Sequence, residues 1–340
     1  MKVLYVFNID FIKNMKKDCF VLQIIMLFCM MRTDAQVDYS VLYVNEESGT
    51  EFTQMTTEND YVCMPEVHRS GKYVKWLTNR ILDISIDGTK LAYLSMRNNT
   101  SNIFIKDVDK KGSSIQRTNR QSIMDFSYSP DGKYLCFSEK NGSNNEIYQT
   151  NANNGYVCRQ ITNGNKDFSP IYSLDMKFIY FARQEEKSTS IWSYNIANNF
   201  LSNYTKGINP FPSKENSQMF CSRFNAEGRG EIWKINYETG AEECILSEAN
   251  RSFSSPTLSP DGQWILIVGS NVLTNGNRQY ANTDIFVCHT DGTQLRQLTY
   301  HAADDLSPVW SRDGKYIYFV SQRGSATGTA NVWRMKIISQ

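Results

Sequence analysis

The sequence predicts an all-β fold: a six-bladed β-propeller of four-stranded antiparallel blades, its ring closed by strands from the N- and C-terminal ends. The first reason is repetition. The stretch DLSPVWSRDGKYIYFVS (305–321) reads as strand, tight turn and strand, and variants of it occur five more times upstream. Self-similarity at a near-constant period marks a repeat architecture. The turn acids fall at Asp87, Asp131, Asp175, Glu215, Asp261 and Asp313, giving spacings of 44, 44, 40, 46 and 52. The second reason is a mismatch at the ends. The sixth repeat stops after its third strand, while spare strands precede the first repeat. A shared blade built from both ends closes such a ring and leaves no long unpaired sheet edge. Seven blades is the alternative, if residues 36–79 build a blade of their own.

Residues 1–35 stand apart from the repeats. Lys16 and Lys17 precede an apolar run from Phe20 to Met31, and Thr33-Asp34-Ala35 places small residues at positions −3 and −1 of a cleavage site. Positive start, short apolar centre and small-residue exit describe a secretory signal peptide, with Met15 as the expected start. The run is short for a membrane span, and an uncleaved anchor is the alternative. Phe28 directly before Cys29 fits a lipoprotein processing site poorly. A periplasmic or exported chain is therefore expected, with residues 36–340 as a single propeller domain.

Residues 36–79 are the least regular. VLYVNEESGTEFTQMT (41–56) reads as two strands around a turn at Ser48-Gly49, and KYVKWLTN (72–79) as one more. Met64-Pro65 and Ser70-Gly71 break the pattern between them. Both TEFTQMT and KYVKWLTN match the strand missing from the last repeat.

Each repeat then follows one plan. A Ser-Pro or Asn-Pro pair opens several first strands, where proline is tolerated. Asp-Gly supplies the backbone that a two-residue hairpin turn requires, and alternating aromatic and aliphatic residues give the second strand. A basic residue often follows it, as Arg97, Lys140, Arg183, Arg223 and Arg323. Because these charges recur, they are read as supports for the hairpin or for a neighbouring strand. The third strand carries an aromatic residue at Phe104, Tyr148, Trp192, Trp233, Phe286 and Trp333. A fourth strand, such as VCRQITN (157–163), completes five of the six copies.

Composition excludes several classes. Lys+Arg 36 against Asp+Glu 35 leaves a net charge of +1, without the basic excess of a nucleic-acid binder. Cleavage would remove Cys19 and Cys29, leaving Cys63, Cys136, Cys158, Cys221, Cys244 and Cys288. An even number in an exported chain invites disulfides. Most of them sit in apolar strand patterns, however, and buried free thiols are the favoured reading.

The pattern SPDGKYLCFSEK…NEIYQTNANNG…RQITNG resembles the WD-like repeats of TolB-like β-propellers over roughly residues 80–340. It is also similar to the propeller halves of prolyl-oligopeptidase-type peptidases and of oligogalacturonate lyases. The resemblance implies a bacterial periplasmic or outer-membrane-facing protein, in a group that includes scaffolds, peptidase caps and enzymes. TolB carries an α/β domain before its propeller, for which residues 36–79 are too few. The peptidases carry a hydrolase domain after theirs.

Catalytic patterns are sparse. No GxSxG elbow occurs, and the histidines are His68, His289 and His301. A lyase metal site of the His-rich kind finds no match in three scattered histidines, and His289 occupies an ordinary turn. DVDKKG (107–112) has Lys111 where a calcium ligand belongs, so it reads as a turn. No metal site and no cofactor is expected. What remains is position, because propeller ligands meet the loops around the central channel. The candidates at the starts of the innermost strands are Arg80, Asp125, Asp167, Asn209, Ser254, Asp304 and Asp305, with His301 beside the last two. Acids outnumber bases in this set, which suits a cationic group or a metal; capping of strand ends is the structural alternative.

The expected function is that of a non-catalytic exported scaffold, a monomer without a transmembrane domain in its mature form. Its expected partner is a periplasmic or outer-membrane protein or an envelope polymer, and no nucleic acid. The alternative is a carbohydrate- or metal-binding propeller, a lyase or hydrolase, working at the channel mouth.

Overall fold

A computed structural model describes residues 42–45, 50–65, 67–70, 73–76, 80–110, 112–213, 217–236, 238–271 and 282–337. The expected signal peptide, the turn at Ser48-Gly49 and the turn acid Glu215 lie outside the described residues. Six antiparallel sheets follow one another in chain order, each pairing a strand with the next one outward, and the sixth borrows its outer strand from the N-terminal segment. The strands nearest the axis are Leu82–Ile84, Ile123–Tyr128, Asp167–Tyr172, Ile208–Pro212, Arg251–Leu258 and Asp305–Trp310. They define blades one to six.

The Asp-Gly turns explain why the first hairpin of each repeat forms. Ser129 Oγ donates to Asp131 at 2.6 Å, and Lys133 N donates to the same oxygen at 3.1 Å. Ser173 and Lys177 do the same for Asp175, and Ser311 and Lys315 for Asp313. The carboxylate thus satisfies turn donors that no strand can reach. Gly132 and Gly314 sit at φ +71°, a region that costs a side chain. Blade three has Met176 there instead, at φ +61°.

The ring closes through Thr50–Gln54, which pairs antiparallel with Asn331–Lys336, Phe52 opposite Met335 and Gln54 opposite Trp333. Met55 N extends the ladder to Val332 O at 2.8 Å, and Val332 N donates to Thr56 Oγ1 at 2.8 Å. Of the two closing strands the sequence allowed, TEFTQMT therefore takes the place. Leu42–Asn45 adds a fifth strand outside it. Tyr73–Trp76, from KYVKWLTN, pairs instead with Val67–Ser70 in a separate hairpin. From this segment Leu42–Asn45 and Thr50–Gln54 join blade six and the remaining described strands form only a two-stranded hairpin, so the blades number six and the seven-blade alternative falls away.

The core lies between neighbouring blades. Leu266 and Val268 of blade five pack with Leu306, Ile317 and Phe319 of blade six and with Phe52. Fully buried aromatics recur at Tyr93, Phe137, Phe181, Phe220, Phe253 and Phe319, at least one from each blade. Each such side chain contributes about 1.5–3 kcal/mol by leaving water.

Every blade also carries an arginine set between an aromatic ring and a carboxylate. Arg97 lies over Phe104 near Asp60, and Arg120 over Tyr148 on Glu139. Arg183 lies over Trp192 on Asp167, and Arg223 over Trp233 on Glu242. Arg251 lies over Phe286 on Glu248, and Arg323 over Phe52 and Phe319 on Asp305. The recurrent bases and third-strand aromatics of the sequence are thus partners in one cation–π device. In blade two Arg120 from the preceding loop takes the part expected of Lys140. Arg251, which starts the inner strand, supplies it in blade five.

Candidate functional site

The channel takes its shape from a kink in the inner strands. Ser169, Asn209, Ser255 and Ser307 have φ between 52° and 57°, and each precedes a proline, in Pro170, Pro210, Pro256 and Pro308. Each marks a bulge in the ladder to the second strand. Left-handed backbone at a non-glycine residue costs on the order of 1–3 kcal/mol, and such strain gathers at functional sites. Together with Arg80 these four residues draw the channel in to a neck of about 20 Å³.

On the side of the hairpin turns the neck opens into a cavity of about 520 Å³. Every blade gives it an apolar wall: Ile86, Tyr128, Leu174, Phe211, Leu258 and Trp310, from blades one to six in turn. Ile86 and Leu174 are 48% and 42% exposed at its rim. A groove of about 430 Å³ leads off between blades three and four, past Phe178, Tyr180 and Tyr204, and shares Leu174 and Pro212 with the cavity. These volumes fall in the range of small-molecule sites.

Four charged residues face the cavity, and three are committed. Asp83 accepts from Tyr128 N at 2.9 Å and Ile84 N at 2.8 Å. Arg312 donates to the carbonyls of Ser85 and Ile84 at 3.1 and 2.8 Å. Asp261 holds its own turn through Gln263 N at 3.1 Å. Arg80 differs. Its guanidinium lies 4.9 Å from the Phe211 ring of the opposite blade, and it has no hydrogen bond or ion pair among the described residues. Burial lowers its pKa, with the Asp83 charge opposing, yet a guanidinium stays charged in proteins. In the neck Asn209 Oδ1 is also buried without a partner.

The other candidates are turned into the blades. Asp125 accepts from Ser138 Oγ and, across to blade three, from Ser169 N at 2.9 Å. Burial pushes its carboxyl up to about 6. Asp167 takes both arms of Arg183 at 2.7 and 3.0 Å, and Asp305 takes Arg323. Asn209 Nδ2 donates to Ser169 Oγ at 3.3 Å. Ser254 is buried on Ser255. Asp304 accepts from Thr283 N at 2.9 Å and from its hydroxyl at 3.0 Å. His301 Nδ1 accepts from Ala303 N at 3.0 Å, and partial desolvation and the Arg323 charge lower its pKa. The acids at the inner-strand starts are therefore blade supports, while Arg80 and Asn209 reach the channel neck, and of the two Arg80 also faces the wide cavity. The apolar collar was not anticipated. Its signal in the sequence was an isoleucine and a leucine directly before the turn acids Asp87 and Asp175, where a solvated turn has no use for them.

Sequence reading also passed over Asp284. It is buried on the third strand of blade five and accepts from Gln297 Nε2 at 3.1 Å, Asn282 Nδ2 at 3.2 Å and Thr299 Oγ1 at 3.3 Å. Burial, with the Asp305 charge nearby, pushes its carboxyl up to about 7, and the Arg323 charge opposes this. The native state thus holds a proton that the unfolded chain releases near pH 4. Stability should fall as pH rises from about 4 to 7, with a slope of up to about 1.4 kcal/mol per pH unit from this group. Asp284→Asn should flatten that part of a melting-temperature profile; an unchanged profile would remove Asp284 as its source.

Cys63, Cys136, Cys158, Cys221, Cys244 and Cys288 are free thiols, three of them buried, with Cys244 exposed. His289 packs its ring edge-on against Trp264. No helix among the described residues is long and apolar enough to cross a membrane.

Comparison with known proteins agrees with the architecture. The family model for the TolB beta propeller domain matches residues 81–271. The protein assigned as TolB in Agrobacterium tumefaciens superposes with a TM-score of 0.60 at 16% identity, over 79% of this chain and 95% of that one. TolB from Acinetobacter baumannii gives 0.57 at 20% identity, over 69% of this chain and 57% of its own. Oligogalacturonate lyase from Vibrio parahaemolyticus gives 0.57 at 12% identity, over 88% and 96%.

Proposed function

Since this chain belongs to the TolB β-propeller domain family, we propose that it is an exported, non-catalytic propeller that holds a protein or polymer of the cell envelope at the hairpin-turn end of its ring. The observation that carries this reading is the collar of six apolar side chains around the axial cavity, one from each blade. Apolar groups gathered around a concavity, two of them exposed at its rim, favour a partner that removes them from water. The rim, at Ile86 and Leu174, is where that partner would be felt first. Arg80 serves as the polar anchor, while Asp125, Asp167, Asn209, Asp304, Asp305 and His301 keep the blades in register.

The test uses the rim. Ile86 and Leu174 are both exposed, so Ile86→Glu combined with Leu174→Glu should leave the melting temperature within about 2 °C of wild type. Affinity capture from envelope extracts should recover a reproducible partner with wild type and at least about tenfold less with the double variant, a loss of 1.4 kcal/mol or more. Equal recovery would sink the reading. Fractionation and the mass of the mature chain test the location: a periplasmic product beginning after Ala35 is expected.

An oligosaccharide is the second reading, favoured by the groove that Tyr180 and Tyr204 line between blades three and four. A thermal shift with one envelope glycan, lost on Tyr204→Ala, would select it.

A further inference from the structure

We propose that the floor of the axial cavity is a carboxylate site, in which Arg80 receives the charged end of an organic monoanion whose apolar body fills the collar. The proposal rests on the axial cavity being the binding site and adds the chemistry of what enters it. Arg80 is the group that decides the class. A guanidinium that touches a ring 4.9 Å away and has no hydrogen bond or ion pair among the described residues keeps its donors for something else. The planar fork of an arginine suits a carboxylate, which can accept two of those donors at once.

The other charges on the wall select among anions. Arg312, Asp83 and Asp261 are spent on local backbone groups and the four charges facing the cavity sum to zero, so Arg80 is the one whose donors are left for a ligand. A single guanidinium with donors to spare, on a wall that also carries two carboxylates, suits a monoanion and disfavours a phosphate dianion. The neck beyond Arg80, at about 20 Å³, admits little more than a water. A ligand entering from the wide side therefore ends at Arg80, with its charge at its tip. Behind the tip, Tyr128, Phe211, Leu258 and Trp310 offer apolar contact, so the body carrying the carboxylate is aliphatic or aromatic. A free small acid and the carboxyl end of a peptide share this chemistry.

Calorimetric titration of the full chain separates the possibilities. The probes are 3-phenylpropanoate, its primary amide, acetyl-Leu-Phe with a free and with an amidated C-terminus, and inorganic phosphate. An acid is expected to bind at least tenfold more tightly than its own amide, and Arg80→Met should erase that preference. Binding of the small acid alone, of the peptide acid alone, or of both identifies the source and supports the proposal. Equal binding of acid and amide overturns it, as does no binding of either acid or phosphate binding as tightly as a carboxylate. The acid–amide comparison on wild-type protein stands even if the Arg80→Met chain fails to fold. If neither acid is preferred over its amide while the wild-type chain still captures the envelope partner, the carboxylate site fails while the partner-binding reading survives.

Discussion

Arg323→Ala should be among the most damaging single changes in this chain, lowering stability by about 3–5 kcal/mol. The arginine is buried and pairs with Asp305, whose side chain is wholly buried and whose Oδ1 already lacks a partner. Removing the guanidinium would leave a carboxylate with no water and no counter-charge, beside Asp284, whose own ionisation Asp305 already opposes. The same arginine covers Phe52 at 4.4 Å and Phe319 at 4.8 Å, so packing is lost along with charge. Urea unfolding measures the effect. Arg251→Ala is the internal control, because its pair with Glu248 is about a third exposed and should be worth no more than about 1 kcal/mol. Similar losses in the two variants would refute the account. The double change Asp305→Leu with Arg323→Met should recover most of the deficit, since an apolar pair avoids the desolvation that a lone charge suffers.

Phe52→Ala should cost about as much, about 3–5 kcal/mol, by a different route. Phe52 is 1% exposed, meets Phe319 edge-on with ring centres 6.1 Å apart, and lies on the strand that closes the ring. Truncation opens a cavity at the one blade built from both ends of the chain. Besides a lower unfolding midpoint, earlier proteolytic cutting around residues 50–54 is expected. Self-association is expected too, once the edge strand Asn331–Lys336 loses its cover. Because Arg323 rests on the same ring, the two substitutions share a contact and should depart from additivity by at least about 0.5 kcal/mol. Additive losses would mean that the closing strand and the buried pair act independently.

The contrast between these residues explains what could be read from the sequence. Period, turn acids and third-strand aromatics are local and repeated, so the blades and their number were legible. The closing strand was legible only as one of two candidates, because TEFTQMT and KYVKWLTN have similar patterns. Only the ladder with Asn331–Lys336 distinguishes them. Asp125, Asp167 and Asp305 were correctly placed at the starts of inner strands, yet their direction was not readable. A carboxylate that faces the channel and one that bonds Ser169 N or Arg183 look alike in a string of letters. Arg80 was the lone base in that set, and its lack of a partner became visible only with the neighbours in place. The collar escaped because its six members come from six repeats and from three positions within them: Ile86 and Leu174 one residue before the turn acid, Tyr128, Leu258 and Trp310 three before it, and Phe211 four before it.

The closing contact has a temporal side. The Asn331 side-chain amide donates to Thr56 Oγ1, a partner 275 positions away, so no portion of the chain short of nearly the whole can finish the ring. Neighbouring blades can pack as soon as both are present. The strand made first must wait, solvated, until the strand made last arrives. Stopping synthesis within the last blade would leave an open arc of sheets rather than a smaller circle, and the loop-closure entropy of joining distant ends would be met only at the final step.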